Sequence, residues 1–212
     1  MITPAETLLL DGRKENVDRV VSLRTRTITV VLDRLGDSFN MAAVLRTCEA
    51  HGIQEVHVVE HPTVKFSPHP QVTQGCDKWL DVYRHQTFDD CHRYLKTRGF
   101  LIWASALGEA ATSLFDLHFN LPVALVFGNE RNGCSPDVLA KVDARFWIPM
   151  RGFTQSFNVS VAVASTLTHA LGWRAQHLGP AGDLSPLEAD VLREKFYKLS
   201  LKQRGRIYGK KS

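Results

Sequence analysis

No stretch of this sequence reaches the ~18 consecutive apolar residues of a membrane-spanning helix, so no span is expected. The opening MITPAETLLLDGRKENVDR has no basic segment followed by an apolar one. No secretory leader is therefore expected, and a cytoplasmic location is. The four cysteines, Cys48, Cys76, Cys91 and Cys134, form no C-x-x-C pair and no zinc-type spacing. Reduced thiols are the simplest reading. The nine histidines show no metal-ligand spacing, His57 in its strand-like run reads as structural, and no metal is expected. G-x-G-x-x-G is absent, which removes the usual dinucleotide fingerprint. Gly128 and Gly133 have the first spacing of a phosphate loop, but Cys134 follows where that loop needs Lys. G-x-S-x-G is missing too, so a nucleophile elbow is not expected. There is no internal repeat and no low-complexity tract.

What is present is an ordinary globular composition: 212 residues, 44% hydrophobic and 23% charged, which excludes a disordered chain. The net charge is +4, unevenly spread. From Ala189 to Ser212 eight Lys or Arg face two acids, a net +6, which leaves the first 188 residues at −2. Charge gathered at one end suits either a polyanionic partner or a solvated extension.

Strand-like runs alternate with helical patterns, which predicts an α/β domain. The strands expected are Ile28–Asp33, Val56–Glu60, Leu101–Ala106, Val123–Gly128 and Phe146–Met150. They are apolar without strict alternation, as in a parallel sheet covered on both faces. Helices are expected at Asn40–His51, Asp89–Thr97, Ser135–Val142 and Ser160–Gln176, with terminal helices over Pro4–Leu23 and Ser185–Leu201. Met41, Val44, Leu45 and Cys48 mark one buried helix face. The Gly- and Pro-rich loop Leu178–Pro186 is the best boundary. The expected organisation is an N-terminal helical extension over 1–27, a core domain over 28–177 and a basic C-terminal extension over 178–212.

Three constellations carry chemistry. In the first, Asn40 stands at the expected helix start, where it can act as cap. Arg46 lies six residues on, and reads either as a surface partner of Glu49 or as a cation aimed at a phosphate or sugar edge. The second, Gly128-Asn-Glu130-Arg-Asn-Gly133, follows a buried strand, at the kind of edge where parallel sheets bind ligands. The third runs from Ile148-Pro-Met150 through Ser156-Phe157-Asn158-Val-Ser160, crowding a helix start with more polar groups than one cap requires.

In this order and spacing, N-x5-R-T, F-G-x-E-x-x-G and I-P-M-x-G-x-x-x-S-x-N-V-S-V-A resemble the three motifs of the SpoU branch of the SPOUT RNA methyltransferases. The resemblance covers roughly Ile28 to Gln176. The terminal helices resemble those of its tRNA (guanosine-18) 2′-O-methyltransferase subgroup, TrmH. It implies a parallel-sheet fold with a deep C-terminal trefoil knot, S-adenosylmethionine as methyl donor, a tRNA substrate and a homodimer with shared active sites. It implies a pocket of Asn40, Arg46, Glu130, Ser156 and Asn158, with the methyl donor held by the loops at Ser105, Gly128 and Ile148 and by Met150 and Phe157. RNA contacts are expected at Arg13, Arg24, Arg26, Arg174, Lys202 and Arg204. Two positions depart from the family pattern: Phe39 stands where many relatives carry His, and Phe157 where Leu is common. Related enzymes acting on the anticodon wobble ribose or on ribosomal RNA are the nearest alternatives. Ribosomal members often carry an N-terminal domain of ~70–100 residues, and 27 residues precede the first expected strand here. An idle RNA-binding protein is the alternative of another class; the intact residue set speaks against it.

Overall fold

The computed structural model describes residue 9, residues 11–108 and residues 110–208, with side chains in the last helix described through Leu201. The chain forms two compact units. The larger, residues 26–180, is an α/β domain built on a seven-stranded sheet. Its strands are β1 (Ile28–Asp33), β2 (Glu55–Val59), β3 (Asp81–His85), β4 (Leu101–Ser105), β5 (Ala111–Ser113), β6 (Val123–Phe127) and β7 (Ala144–Trp147). They lie in the order β3-β2-β1-β6-β4-β7-β5, and every pairing is parallel.

The expected parallel sheet is therefore present. β1, β2 and β6 are buried along their whole length, so neither face of these strands meets water. Side-chain alternation sorts them into two cores. Ile28, Val30 and Leu32 of β1, with Val123 and Leu125 of β6, pack against α2 (Ser38–Ala50) and α6 (Val159–His177) through Val44, Leu45, Val163 and Leu167. Val31 and Val126 point the other way, onto α4 (Phe88–Thr97) and α5 (Pro136–Leu139) through Phe88, Cys91, Leu95 and Val138. Burying each such side chain contributes about 1.5–3 kcal/mol. His57 of β2 faces the second core. Burial, then His85 and Arg98, push it down to about 3, so its ring is neutral.

Several boundaries differ from the sequence reading. The cap of α2 is Asp37, whose carboxylate accepts from the Asn40 N–H at 2.7 Å; Asn40 is inside the helix, and its side chain is released for other work. The helix expected over Ser135–Val142 is the single turn α5, with Ser135 before it and Pro136 opening it. The last strand ends at Trp147, leaving Ile148-Pro149-Met150 as loop. A four-residue turn, α3 (Pro70–Thr73), and strands β3 and β5 had no counterpart in the pattern. β5 is three residues long, and β3 reads DVYRH, which has too few apolar residues to stand out.

The smaller unit joins the described residues through Thr25 to those from Ala181 onward. In it α1 (Asp11–Ser22) packs on α7 (Pro186–Tyr208). Val17, Val21, Leu192, Phe196 and Tyr197 are buried. Asp18 accepts from Arg193 Nε at 2.7 Å and from the Tyr197 hydroxyl at 3.1 Å. Among the described residues no helix is long and apolar enough to cross a membrane.

Candidate active site

The three constellations meet at the C-terminal edge of the sheet, where β1, β6 and β7 run out into loops. Asn40 Nδ2 donates to Glu130 Oε1 at 2.8 Å, and Asn158 Nδ2 donates to Asn40 Oδ1 at 2.9 Å. Asn158 Oδ1 accepts from the Ser160 N–H at 2.9 Å and from its hydroxyl at 2.6 Å. The carboxylate can only accept, so it sets the direction of the whole chain of amides. These groups lie at the surface, where each hydrogen bond adds only about 0.5–1.5 kcal/mol to stability. Folding does not explain why side chains 90 and 118 residues apart converge there. Asn158 also caps α6.

Arg46 sits further along α2. Its exposed guanidinium donates to the Val72 carbonyl at 3.4 Å and is not hydrogen-bonded to Asn40, Glu130 or Asn158. Asn40 thus orients Glu130 and Asn158 rather than Arg46. Phe39 is 55% exposed and stacks on His69 with ring centroids 4.4 Å apart and planes 15° from parallel.

Beside this cluster opens a cavity of about 350 Å³, lined by Ser105, Leu107, Cys134, Ile148, Met150 and Phe157 among others. With Ser105, the side chains of Ser156, Asn132 and Gln155 make part of its lining polar. Its size and mixed lining suit a small organic cofactor. Four of the expected cofactor residues, Ser105, Ile148, Met150 and Phe157, line it, as does Ser156. Gly128 does not. Its place is structural: a Cβ there would lie 2.0 Å from the Gly133 carbonyl carbon and from the Cys134 nitrogen. The loop closes on itself at that point, with Asn129 and Gly133 exchanging backbone bonds of 3.0 and 2.8 Å. Cys134 is no nucleophile here: burial pushes its thiol up to about 12.

The loop is tied down from β1. Buried Asp33 accepts from the Ser135 N–H at 2.8 Å and its hydroxyl at 2.6 Å. Arg34, at φ 54°, grips both oxygens of Asp137 at 2.9 and 2.7 Å, and its carbonyl accepts from Asn129 Nδ2 at 3.1 Å. The Arg34 guanidinium holds the Asp137 carboxyl well below the usual carboxylate range. A depressed value in the folded state stabilises above the ordinary value of 3.8 and ceases to do so as pH falls beneath it. Asp137→Asn should therefore lower the unfolding temperature at neutral pH, and its deficit against wild type should narrow in acid. Calorimetry across that range checks this; a deficit independent of pH would remove the ion pair as an anchor.

The model of the SpoU rRNA Methylase family matches residues 27–168. The chain belongs to this family. It is 34% identical over 194 residues to the tRNA (guanosine(18)-2′-O)-methyltransferase of Borreliella burgdorferi, covering 92% of this chain and 88% of the relative. The enzyme of the same name from Thermus thermophilus is 36% identical over 160 residues, 76% of this chain and 82% of the relative. Among solved structures, the A. aeolicus TrmH/SpoU tRNA modifying enzyme superimposes with a TM-score of 0.82 at 28% identity, over 91% of this chain and 98% of that one.

Not every cation expected to meet RNA is free to do so in this SpoU-family chain. Arg24 is 1% exposed, its guanidinium 5.3 Å from the centre of the Phe196 ring. Arg26 is half-buried and pairs with Glu55 and, at 2.8 Å, with Asp81. Arg174 donates to the carbonyls of Phe119 at 2.8 Å and Leu121 at 3.2 Å and to the Thr27 hydroxyl at 2.6 Å. These three arginines hold the fold, because a buried guanidinium must satisfy its donors. Arg13 is exposed. The side chains of Lys202 and Arg204 lie outside those described. Site residues missed in the sequence were of two kinds. Asn132 and Gln155 sit inside the quoted motifs, and could have been singled out as polar groups in loops. Arg34 and Asp137 are 103 residues apart and carry no local signal.

Proposed function

We propose that this protein transfers a methyl group to the ribose 2′-hydroxyl of the D-loop guanosine, position 18, of tRNA. The observation that carries this reading is the Asn158–Asn40–Glu130 chain joining the three family motifs beside a cofactor-sized cavity. Relatives of that activity, aligned over most of the chain, support the substrate.

S-adenosylmethionine supplies a methyl group on a sulfonium sulfur, a good leaving group. Leu107, Ile148, Met150 and Phe157 would cover its apolar parts, with Asn132, Gln155 and Ser156 for the polar ones. The protein's main task is to align the 2′-oxygen with the methyl group, the hydroxyl proton leaving to solvent. Glu130, held by Asn40, and Asn158, held through Ser160, fix the wall on which the ribose is positioned. A guanidinium is a permanent cation with a fork of donors, so Arg46 holds an RNA phosphate rather than removing a proton. The functional unit is a homodimer in which the partner chain completes each site. Arg13 and the basic C-terminal segment supply sequence-independent phosphate contacts.

The test is labelled methyl transfer to unmodified tRNA, with the product nucleoside mapped. Label as 2′-O-methylguanosine in the D-loop is expected. Label at the anticodon ribose, or on ribosomal RNA alone, would overturn the target; absence of label with every RNA would overturn the reaction. Removing residues 202–212 should weaken tRNA binding and flatten its dependence on salt, the slope falling by about 0.7–0.9 for each phosphate that the segment neutralises. An unchanged slope would show that the segment is merely solvated.

A further inference from the structure

Away from the cofactor cavity, β2, β3 and α4 bring together His57, His85 and Cys91. The parallel register pairs His57 with Tyr83 and Val59 with His85, so His57, Tyr83 and His85 share the sheet face that α4 covers. One ligand atom from each of His57, His85 and Cys91 lies within 4.8 Å of the others. His57 Nδ1 and His85 Nε2 face each other at 3.0 Å. Tyr83 and Tyr94 pack against the His57 ring, each with centroids 5.2 Å away. His57 and Cys91 are buried, and the half-buried His85 is the member nearest to solvent.

We propose that His57, His85 and Cys91 form a binding site for a borderline-soft divalent metal ion, zinc by preference. Two imidazoles and a thiolate are the donor set that such ions select over magnesium or calcium. Bonds of about 2.0–2.3 Å place tetrahedral ligand atoms roughly 3.3–3.6 Å apart. The observed cluster needs only sub-ångström spreading of the two rings and a modest approach of sulfur to reach that.

The second observation concerns the far side of His57. Its Nε2 is buried and has no hydrogen-bond partner among the described residues. The nearest carboxylate oxygen, Oε2 of Glu55, is 3.9 Å away, too far for a hydrogen bond. Glu55 is 1% exposed and is itself gripped by Arg26 and Arg98. At 3.9 Å the Glu55 carboxylate favours the proton on Nε2 by charge alone, which leaves the Nδ1 lone pair for the ion; a small approach would complete the carboxylate hydrogen bond that orients metal-binding histidines. The other ligands follow the same logic. The proton on His85 Nε2 is carried by Nδ1 when the ion binds, and the Cys91 thiol loses its proton to solvent. One proton is released per ion bound, and the ring charges do not change. Three protein ligands leave a fourth position for water, on the side of the half-buried His85. The ion would fasten the edge strand β3 and helix α4 to β2. It takes no part in methyl transfer, so this proposal stands apart from the functional reading above.

The experiment is titration of the full-length, chelator-stripped protein with cobalt(II) alone, then displacement by zinc. Expected are one equivalent bound and a thiolate-to-cobalt charge-transfer band. Cys91→Ser should abolish the band, and His85→Gln should weaken binding by more than about 100-fold, beyond the usual cost of losing an outer-shell partner. His85→Gln is the safer variant for folding, because it changes the least buried of the three side chains, on an edge strand. Zinc should also raise the unfolding temperature of wild type and not that of His85→Gln. No band, or a band and a zinc-dependent shift retained in folded His85→Gln, would overturn the site: the first leaves a plain hydrogen bond between two histidines, the second assigns the ion to another cysteine.

Discussion

Arg46→Ala is expected to lower single-turnover methyl transfer by about 100- to 1,000-fold, the usual cost of losing one donor aimed at reacting charge. S-adenosylmethionine affinity should be unchanged, because Arg46 does not line the cavity. Stability should be unchanged as well. The side chain is exposed, its one side-chain hydrogen bond among the described residues is long at 3.4 Å, and Ala is the best helix former available for α2. That combination separates a residue that acts on RNA from one that holds the fold. Arg46→Lys should recover only part of the rate, since an ammonium keeps the charge and loses the planar fork. The checks are a single-turnover rate, a cofactor titration and a thermal melt on the same preparations. Near-normal turnover in Arg46→Ala would remove this residue from the site.

Gly128→Ala should fail in the opposite manner. A Cβ at 2.0 Å from two backbone atoms cannot be absorbed by a rotamer change, so the loop itself must open. Opening it breaks the Asn129–Gly133 pairing and the Asn129 bond to the Arg34 carbonyl, and displaces both Glu130 and the Gly133–Cys134 wall of the cavity. We expect a loss of about 3 kcal/mol in stability, at the upper end for overpacking, together with loss of cofactor binding and of transfer. Gly172→Ala is the matched control. Among the described residues nothing outside the helix's own backbone lies within 4 Å of a Cβ there, and the site is inside α6, so the same change should stabilise by about 0.4–1 kcal/mol. Equal behaviour of the two variants would refute the packing argument.

These two positions also show how far the sequence could be read. Arg46 was legible because an arginine in an apolar helix demands a reason, and its spacing from Asn40 is part of a motif. Gly128 was legible only as a glycine in a loop. Its role as a cofactor contact was expected, and its role as the point where a loop turns back on itself depends on Gly133 and Cys134, which meet it only in three dimensions. Arg24, Arg26 and Arg174 show the reverse. Each looked like a surface cation, because charge is visible in a sequence and burial is not. Phe119, Glu55 and Phe196, which occupy them, are distant in the chain.

The apolar runs determined by themselves that this chain has buried parallel strands alternating with helices, since such strands must be covered on both faces. Local residue types likewise determined where helices open, as at Pro136, and which polar residues stand at the loops. Edge strand β3 escaped because an edge needs little apolar surface, and the single-turn α5 because periodicity cannot end a helix early. Only the tertiary structure decided that Asn40 spans from Glu130 to Asn158, that Arg34 grips Asp137, and that His57 meets His85 and Cys91. Those contacts are made by strand order and register, which follow from the packing of the whole sheet and leave no mark on the residues nearby in sequence.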